Sequence, residues 1–447
     1  MLRILHLSDI HFGQEIHGER VRHDDVRDQL VTDLSGLLDD KKHLDLILIN
    51  GDVGYSGKEY EYDEAVSWIE RLITVGRCDV TRVFTIPGNH DIDINLISES
   101  AKLVHSELRK ATPGKIQSAL HKYAGEPEDR NAIFPKLSNY ISFAHGYNSE
   151  FEKSDVPRWI KQNYYIKPGY CLRLIGMCSV QVSDLEDCQG KMVLGEKQYI
   201  FPEDHSVVTM TMIHHPLSWF KDKATASTYL DKRSAIVLTG HEHLADLKKI
   251  IQLNGLEKIE ISAGAITDTE SDGPFQFAYN LLEMDVLEEP EVLVSMTVWP
   301  RVWGVSSPCF GPDIIKTGGA ESKTITINCG LRRAPAEAAT MNTESVSGHG
   351  KDTIMQHDNT ADFGQLKHLF WHYLTWEQRI IVLVRAGVLP QSTKTRLPQT
   401  IELEFLLRAK ENGKLPQVWD DIVSFFPPEK QKKNPFKNGR SHDRKDI

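Results

Sequence analysis

Five short segments of this sequence carry aspartate, asparagine and histidine side chains at close spacing. They are Ser8-Asp9-Ile10-His11, Asn50-Gly51-Asp52, Pro87-Gly88-Asn89-His90-Asp91, Ile213-His214-His215-Pro216 and Thr239-Gly240-His241-Glu242-His243. Carboxylate and amide oxygens mixed with imidazole nitrogens suit divalent Mn, Fe, Zn or Ni. No cysteine stands among them, which argues against a structural zinc centre. The number of donors suits two ions sharing one carboxylate. Two such ions would lower the pKa of a bridging water, giving a hydroxide nucleophile, and would offset charge on phosphoryl oxygens during in-line displacement. A nearby histidine would protonate the leaving oxygen, and a carboxylate behind it would fix its orientation.

Each segment follows an apolar run that reads as a strand: 3–7, 44–49, 83–86, 207–213 and 235–238. Ligand sites in α/β sheets form at the carboxyl ends of strands. Along an extended segment, alternation puts Asp9 and His11 on one side. Gly51, Gly88 and Gly240 each precede a candidate ligand, where glycine permits a tight turn and close backbone approach. Taken singly, each segment is weak. A lone Asp or His at a strand end is more often a turn or cap residue, and Gly-Asn-His-Asp consists largely of turn formers. Their common placement after strands is what argues for one site. His6, His17 and His23 read as core or solvated residues, and Tyr55 as a candidate wall of the pocket.

The elements that must position these residues alternate strand with helix. Amphipathic stretches at 22–39 and 59–73 separate the first three strands, which indicates a layered α/β core. Residues 94–155 are polar and helix-rich and read as a helical insertion beside the site. A strand is expected at 171–177. Further strands at 258–261, 277–284 and 292–299 are expected to close a second sheet. Composition then turns to Ala, Ser, Thr, Asn and Gly, so 316–361 reads as a linker. Helical spacing returns over 362–428. Thr375 there is placed to cap a helix with Gln378 in a capping box, and Gly387 to end it. Residues 429–447 read as a basic, disordered tail.

The chain has 447 residues and a formal net charge of −11, which gives no global case for nucleic-acid binding. No apolar run reaches the length of a membrane span, so no membrane role is expected. The six cysteines lack Cys-x-x-Cys spacing and read as mostly buried free thiols of a reducing, cytoplasmic compartment.

In this order, Asp-x-His, Gly-Asp, Gly-Asn-His-Asp, His and Gly-His-x-His resemble the calcineurin-like metallophosphoesterases over roughly residues 1–315. The opening Ile4-Leu5-His6-Leu7-Ser8-Asp9-Ile10-His11-Phe12-Gly13 is similar to both the cyclic-nucleotide phosphodiesterase branch and the DNA-repair nuclease branch. The resemblance implies a four-layer α/β/β/α sandwich and two divalent metal ions. It implies that Asp9, His11 and His243 hold one ion, that Asn89, His214 and His241 hold the other, and that Asp52 bridges them. His90 would be the general acid or transition-state stabiliser, oriented by Asp91, with His215 behind the ligands or facing substrate. The implied substrate is a nucleotide or nucleic-acid phosphodiester. The segments 375–379 and 415–422 resemble effector-associated, death-like adaptor domains of bacterial conflict systems. That resemblance implies a small all-α domain that docks a protein partner. The competing reading is a docking effector whose phosphoesterase activity is latent or directed at monoesters.

Overall fold

The computed structural model describes residues 1–447 except 15–19, 39–41, 126–132, 153–155, 253, 268–275, 305–306, 334–350, 398 and 438–447. The side chains of 20–22, 124–125, 351–360 and 399–400 also lie outside the description. His17 and residues 334–350 of the expected linker fall in these gaps. The chain divides into two compact units, Met1–Tyr140 with Ser149–Thr340, and Ile141–Asn148 with Met341–Ile447.

The first unit is built on two sheets. Strands β1 (Leu2–Leu7), β2 (Leu46–Ile49) and β3 (Val83–Thr85) run parallel and are buried throughout. Continuous apolar runs are what parallel strands covered on both faces require. The second sheet takes β4 (Arg158–Lys167), β5 (Tyr170–Met177), β6 (Val207–Met212), β7 (Ile236–Thr239), β8 (Asp246–Ile251) and β9 (Glu257–Ser262), in the order β4-β5-β6-β7-β9-β8. Then β10 (Ala278–Leu287) and β11 (Leu293–Trp303) return to the first sheet. There β10 pairs antiparallel with β1 (Leu5 opposite Leu281) and β11 follows it. Of the three late strands expected to close the second sheet, therefore, only β9 does so. The other two extend the first sheet on the far side of β1. Two further strands, β12 (Phe310–Pro312) and β13 (Lys323–Ile327), pair with β11. The first part of the expected linker is thus a sheet strand, with alternating Thr and Ile.

Ile4, Leu48 and Leu282 from the first sheet and Leu174, Met212, Leu238 and Ile261 from the second share one buried core. The outer face of the second sheet is covered by helices Glu99–Lys110, Ile116–Gly125 and Lys223–Arg233, through Leu108, Leu120 and Leu230. Helices Arg20–Leu37 and Glu59–Gly76 bury Leu30, Leu34, Ala65 and Ile69. The result is the α/β/β/α sandwich. The insertion is locked in place by Arg109, whose guanidinium contacts Asp184 (2.7 Å) and Asp187 (3.0 Å) and donates to the Val182 carbonyl.

The second unit is helical: Lys351–His372, Trp376–Arg385, Gln399–Glu411 and Leu415–Val423. Thr375 Oγ accepts from Gln378 N while Gln378 Oε1 accepts from Thr375 N, which completes the capping box, and Gly387 takes φ +71° after the helix. Phe370, Leu383, Leu406, Val418 and Trp419 form the core. The insertion supplies Ile141–Asn148 to this unit. His372 Nε2 donates to the Phe143 carbonyl (3.0 Å), so its Nδ1 accepts from His368 Nδ1 (2.9 Å). The tail also differs from expectation. Asn434 bonds Asp420 and the Pro416 carbonyl, and Phe436 packs edge-on against Trp419, so residues through Lys437 are docked. Residues 438–447 lie outside the description.

All six cysteines are free, but only Cys78 and Cys178 are buried; Cys188 and Cys309 are exposed.

Candidate metal centre

The carboxyl ends of β1, β2, β3, β6 and β7 meet where the two sheets face each other. Asn50 joins them, its side-chain amide donating to the carbonyls of Ile213 (3.0 Å) and Leu238 (3.3 Å) across the sandwich. This places Asp52 beside His214, from the other sheet. Gly51 makes the approach feasible. It has φ +96°, and a Cβ there would stand 2.5 Å from His214 Nδ1. At Gly88 a Cβ would collide with Asp52 Oδ1.

Asp9, His11 and His243 come together with ligand atoms within 4.8 Å of one another, and so do Asp9, Asp52 and His214. Asp52 Oδ2 lies 3.4 Å from His11 Nε2 and 3.1 Å from His214 Nε2, between the two sets. Asn89 Oδ1 is 3.2 Å from His214 Nε2 and 2.9 Å from His241 Nδ1. His214 Nδ1 donates to the Asn50 carbonyl (2.8 Å), which leaves Nε2 facing the centre. Asp9, His11, Asp52 and His214 are fully buried.

The segment from Asp9 to His11 is not extended. Both residues adopt left-handed backbone (φ 55° and 52°), and the amides of Ile10 and His11 both donate to the Asp52 carbonyl. Their side chains converge through this turn and not through strand alternation. Asp52, His241 and His243 are also left-handed. That conformation costs on the order of 1–2 kcal/mol per non-glycine residue. Strain of this kind persists where the surroundings over-determine it, and it clusters at functional sites.

Burial and neighbouring charges shift the titration of these groups. Burial pushes the Asp52 carboxyl up, but His214 and His90 outweigh it and hold the group well below the usual carboxylate range. Burial opposes charge on His214, yet the Asp52 carboxylate raises the ring to about 9. Burial lowers His11 to about 4 and His241 to about 3, keeping both rings neutral, as metal ligation requires.

The sequence profile of the calcineurin-like phosphoesterases matches residues 2–245. The chain belongs to this family. A second profile, the GTPase-associated adaptor domain, matches residues 362–424. No curated protein matches the chain. Among solved structures the chain is similar to purple acid phosphatase PPD1 from yellow lupin (Lupinus luteus) seeds, at 11% identity and TM-score 0.38, covering 75% of this chain. The chain spans 56% of that phosphatase's length. It is also similar to a hypothetical protein from Thermus thermophilus, at 16% identity and TM-score 0.28, covering 67% of this chain and 99% of that one.

The residues of this calcineurin-like phosphoesterase fit a dimetal centre. Asp9 Oδ1 is buried 3.2 Å from His243 Nε2, and the buried His11 Nδ1 has no hydrogen-bond partner among the described residues. Buried acceptors without donors cost free energy unless a cation meets them.

His90 stands at the rim of the phosphoesterase centre, half-buried, its ring 4.8 Å from that of His11. Its amide donates to Asp52 Oδ1 (2.7 Å). Its Nδ1 donates to the Tyr55 carbonyl (2.9 Å), leaving Nε2 as the reactive end. The orienting contact expected from Asp91 is thus made by Tyr55. Asp91 instead accepts from the amides of Val53, Gly54 and Gly88 and from the Tyr62 hydroxyl, tying two site loops together. Burial, then the Asp52 charge, push its carboxyl up to about 7 against the pull of those amides. His215 lies behind His241 (ring centroids 4.2 Å apart), with Nδ1 2.9 Å from Ser179 Oγ. It also forms a ligand-spaced set with His214 and His241.

Two features escaped sequence reasoning. The Asn50 cross-link carried no signal beyond its place before Gly-Asp. Trp219, whose ring meets His241 edge-to-face at 4.3 Å, was signalled only by following His214-His215-Pro216 by three residues.

Proposed function

We propose that the chain hydrolyses a nucleotide or nucleic-acid phosphodiester. Asp9, His11 and His243 hold one divalent ion and Asn89, His214 and His241 the other, with Asp52 between them. The observation that carries this reading is the single Asp52 oxygen within 3.4 Å of histidines from both sets. When bound, the ions supply Lewis acidity toward the phosphoryl oxygens and activate a water as nucleophile. His90 then delivers a proton from Nε2 to the leaving oxygen, while the Tyr55 carbonyl holds its Nδ1–H. Asp91 keeps the loops that carry Asp52 and His90 in register. Mn is the metal we favour for assay among Mn, Fe, Zn and Ni, since mixed O and N ligands accept each of them. Six free thiols suit a reducing, cytoplasmic setting.

The test is a substrate panel of single-stranded DNA, RNA, cyclic nucleotides, bis-p-nitrophenyl phosphate and monoesters with Mn and Ni. His90→Ala should reduce diester turnover on the order of 10²-fold or more. Preferential turnover of monoesters, or an unchanged rate in His90→Ala, contradicts the assignment.

The match to an adaptor domain at 362–424 favours a second role, docking of a protein partner through the helical unit. Truncation is a poor test of it, because Ile141–Asn148 packs with those helices. Substitution of the exposed Ile381 or Leu407 by Asp is cleaner. If neither change alters association of the full chain in sedimentation, the surface that carries these residues is not the docking face.

A further inference from the structure

The centre is flanked by two aromatic rings that hold no proposed metal or proton. Tyr55 stacks on His90, with ring centroids 5.1 Å apart and planes 17° from parallel, and stands edge-on to His11 at 6.0 Å. One face of the phenol is therefore covered by His90. The residue is still 36% exposed. Trp219 lies on the other ligand set. Its ring meets His241 at 4.3 Å and His215 at 5.2 Å, and it is only partly buried.

The two platforms thus sit by different ligand sets, Tyr55 by His11 and His90, Trp219 by His241. A phosphodiester has two substituents, one on each side of its phosphorus. Exposed aromatic rings beside a phosphate site are how proteins hold unpaired bases, since every base offers a π-face whatever its sequence. We infer that Tyr55 and Trp219 are specificity-determining residues, and that the substrate is a diester carrying an unpaired base on each side. The base of the leaving nucleoside rests on Tyr55, next to the acid His90, and the base of the retained nucleoside rests on Trp219. The inference rests on the phosphodiesterase reading above and narrows it to dinucleotides and single strands. A base held in a duplex has both faces occupied and cannot use either ring.

The experiment compares the dinucleotide dT-dT with two analogues, each carrying an abasic tetrahydrofuran in place of one nucleoside. It uses the Mn-loaded full chain. Wild type should lose on the order of ten-fold in kcat/KM for each base removed. Tyr55→Ala retains the backbone carbonyl that holds His90. It should become indifferent to the leaving-side base while still discriminating the retained-side one. Trp219→Ala should show the reverse. Trp219→Phe keeps a ring on His241 and should restore discrimination, with Mn content per chain followed in every variant. If both variants slow all three diesters by one common factor, the rings merely support the ligands and the inference is overturned. Turnover of bis-p-nitrophenyl phosphate without any dinucleotide cleavage also overturns it, while sparing the diesterase reading. Absence of turnover on every diester overturns both.

Discussion

The two compact units surround buried carboxylates with different partners. In the helical unit Arg379 and Glu402 are both buried, and they meet each other at 3.0 Å, with a further bond from Arg379 to the Leu374 carbonyl. Their charges are settled within the fold. In the phosphoesterase unit Asp9 and Asp52 are buried within 3.4 Å of the rings of His243, His11 and His214, and both acids sit on left-handed backbone. Those histidines are themselves candidate metal ligands, so the acids there lie in a cluster spaced for cations and not in one fixed ion pair. The contrast sets a single ion pair inside a helical core against acids that stand beside candidate ligands. It also predicts that the same kind of substitution has opposite consequences in the two.

The largest expected contrast comes from removing one acid from each. Asp52→Asn should lower metal-dependent diester turnover by about 10³-fold, or ~4 kcal/mol of transition-state stabilisation, with little loss of folding stability. Glu402→Ala leaves the Arg379 guanidinium buried and unpaired. It should destabilise the helical unit by roughly 3–5 kcal/mol in denaturant melts while leaving the metal-site chemistry intact. A large unfolding penalty for Asp52→Asn would erase the distinction.

Metal removal sharpens the same comparison. Ions held by the phosphoesterase unit stabilise it by about 2.7 kcal/mol when free metal stands at a hundred times Kd. Chelation should therefore lower the unfolding transition reported from the sandwich and leave the helical transition in place. Movement of both transitions together would mean that the units unfold as one.

A smaller effect separates them by pH. Lys136, in the insertion of the phosphoesterase unit, is buried and donates to the carbonyls of Gln181 and Ser183. Burial lowers its pKa to about 7. The unfolded chain, with an ordinary lysine, binds more protons than the folded one between that value and about 10.5. Stability of this unit should then rise with pH across that window, by at most ~1.4 kcal/mol per unit. Below it both states carry the proton and the slope vanishes. Lys136→Met should flatten the rise in urea melts at pH 7 to 9, and an unaltered slope would assign it elsewhere.

Much of this was legible in the sequence, because it is written in local patterns. Continuous apolar runs marked β1, β2, β3, β6 and β7, and the ligand types followed each run directly. The capping box at Thr375 and the stop at Gly387 were equally local. What the sequence hid depends on distant partners. That β10 pairs with β1, carrying β11 with it, and does not lie beside β9 is a matter of register between strands some 275 residues apart. The Lys323–Ile327 strand was obscured by Thr and Lys, which suit an edge position as well as a linker. At the site, the ligand types were visible but their geometry was not. Asp9 and His11 converge through a left-handed turn, Asn50 bridges the sheets, and the carbonyl of Tyr55 holds the ring of His90. Backbone conformations and main-chain acceptors of this kind leave no residue-type signature.

The central claim is a two-ion centre bridged by Asp52, and metal stoichiometry tests it most directly. Metal-depleted chain titrated with Mn, with bound ion and diester hydrolysis followed together, should take up two ions per chain. Activity should appear with the second ion, and Asp52→Asn should fail to hold both and stay inactive. Full activity with one ion bound, or an Asp52→Asn variant that binds two ions and turns over diester like the wild type, would contradict the account.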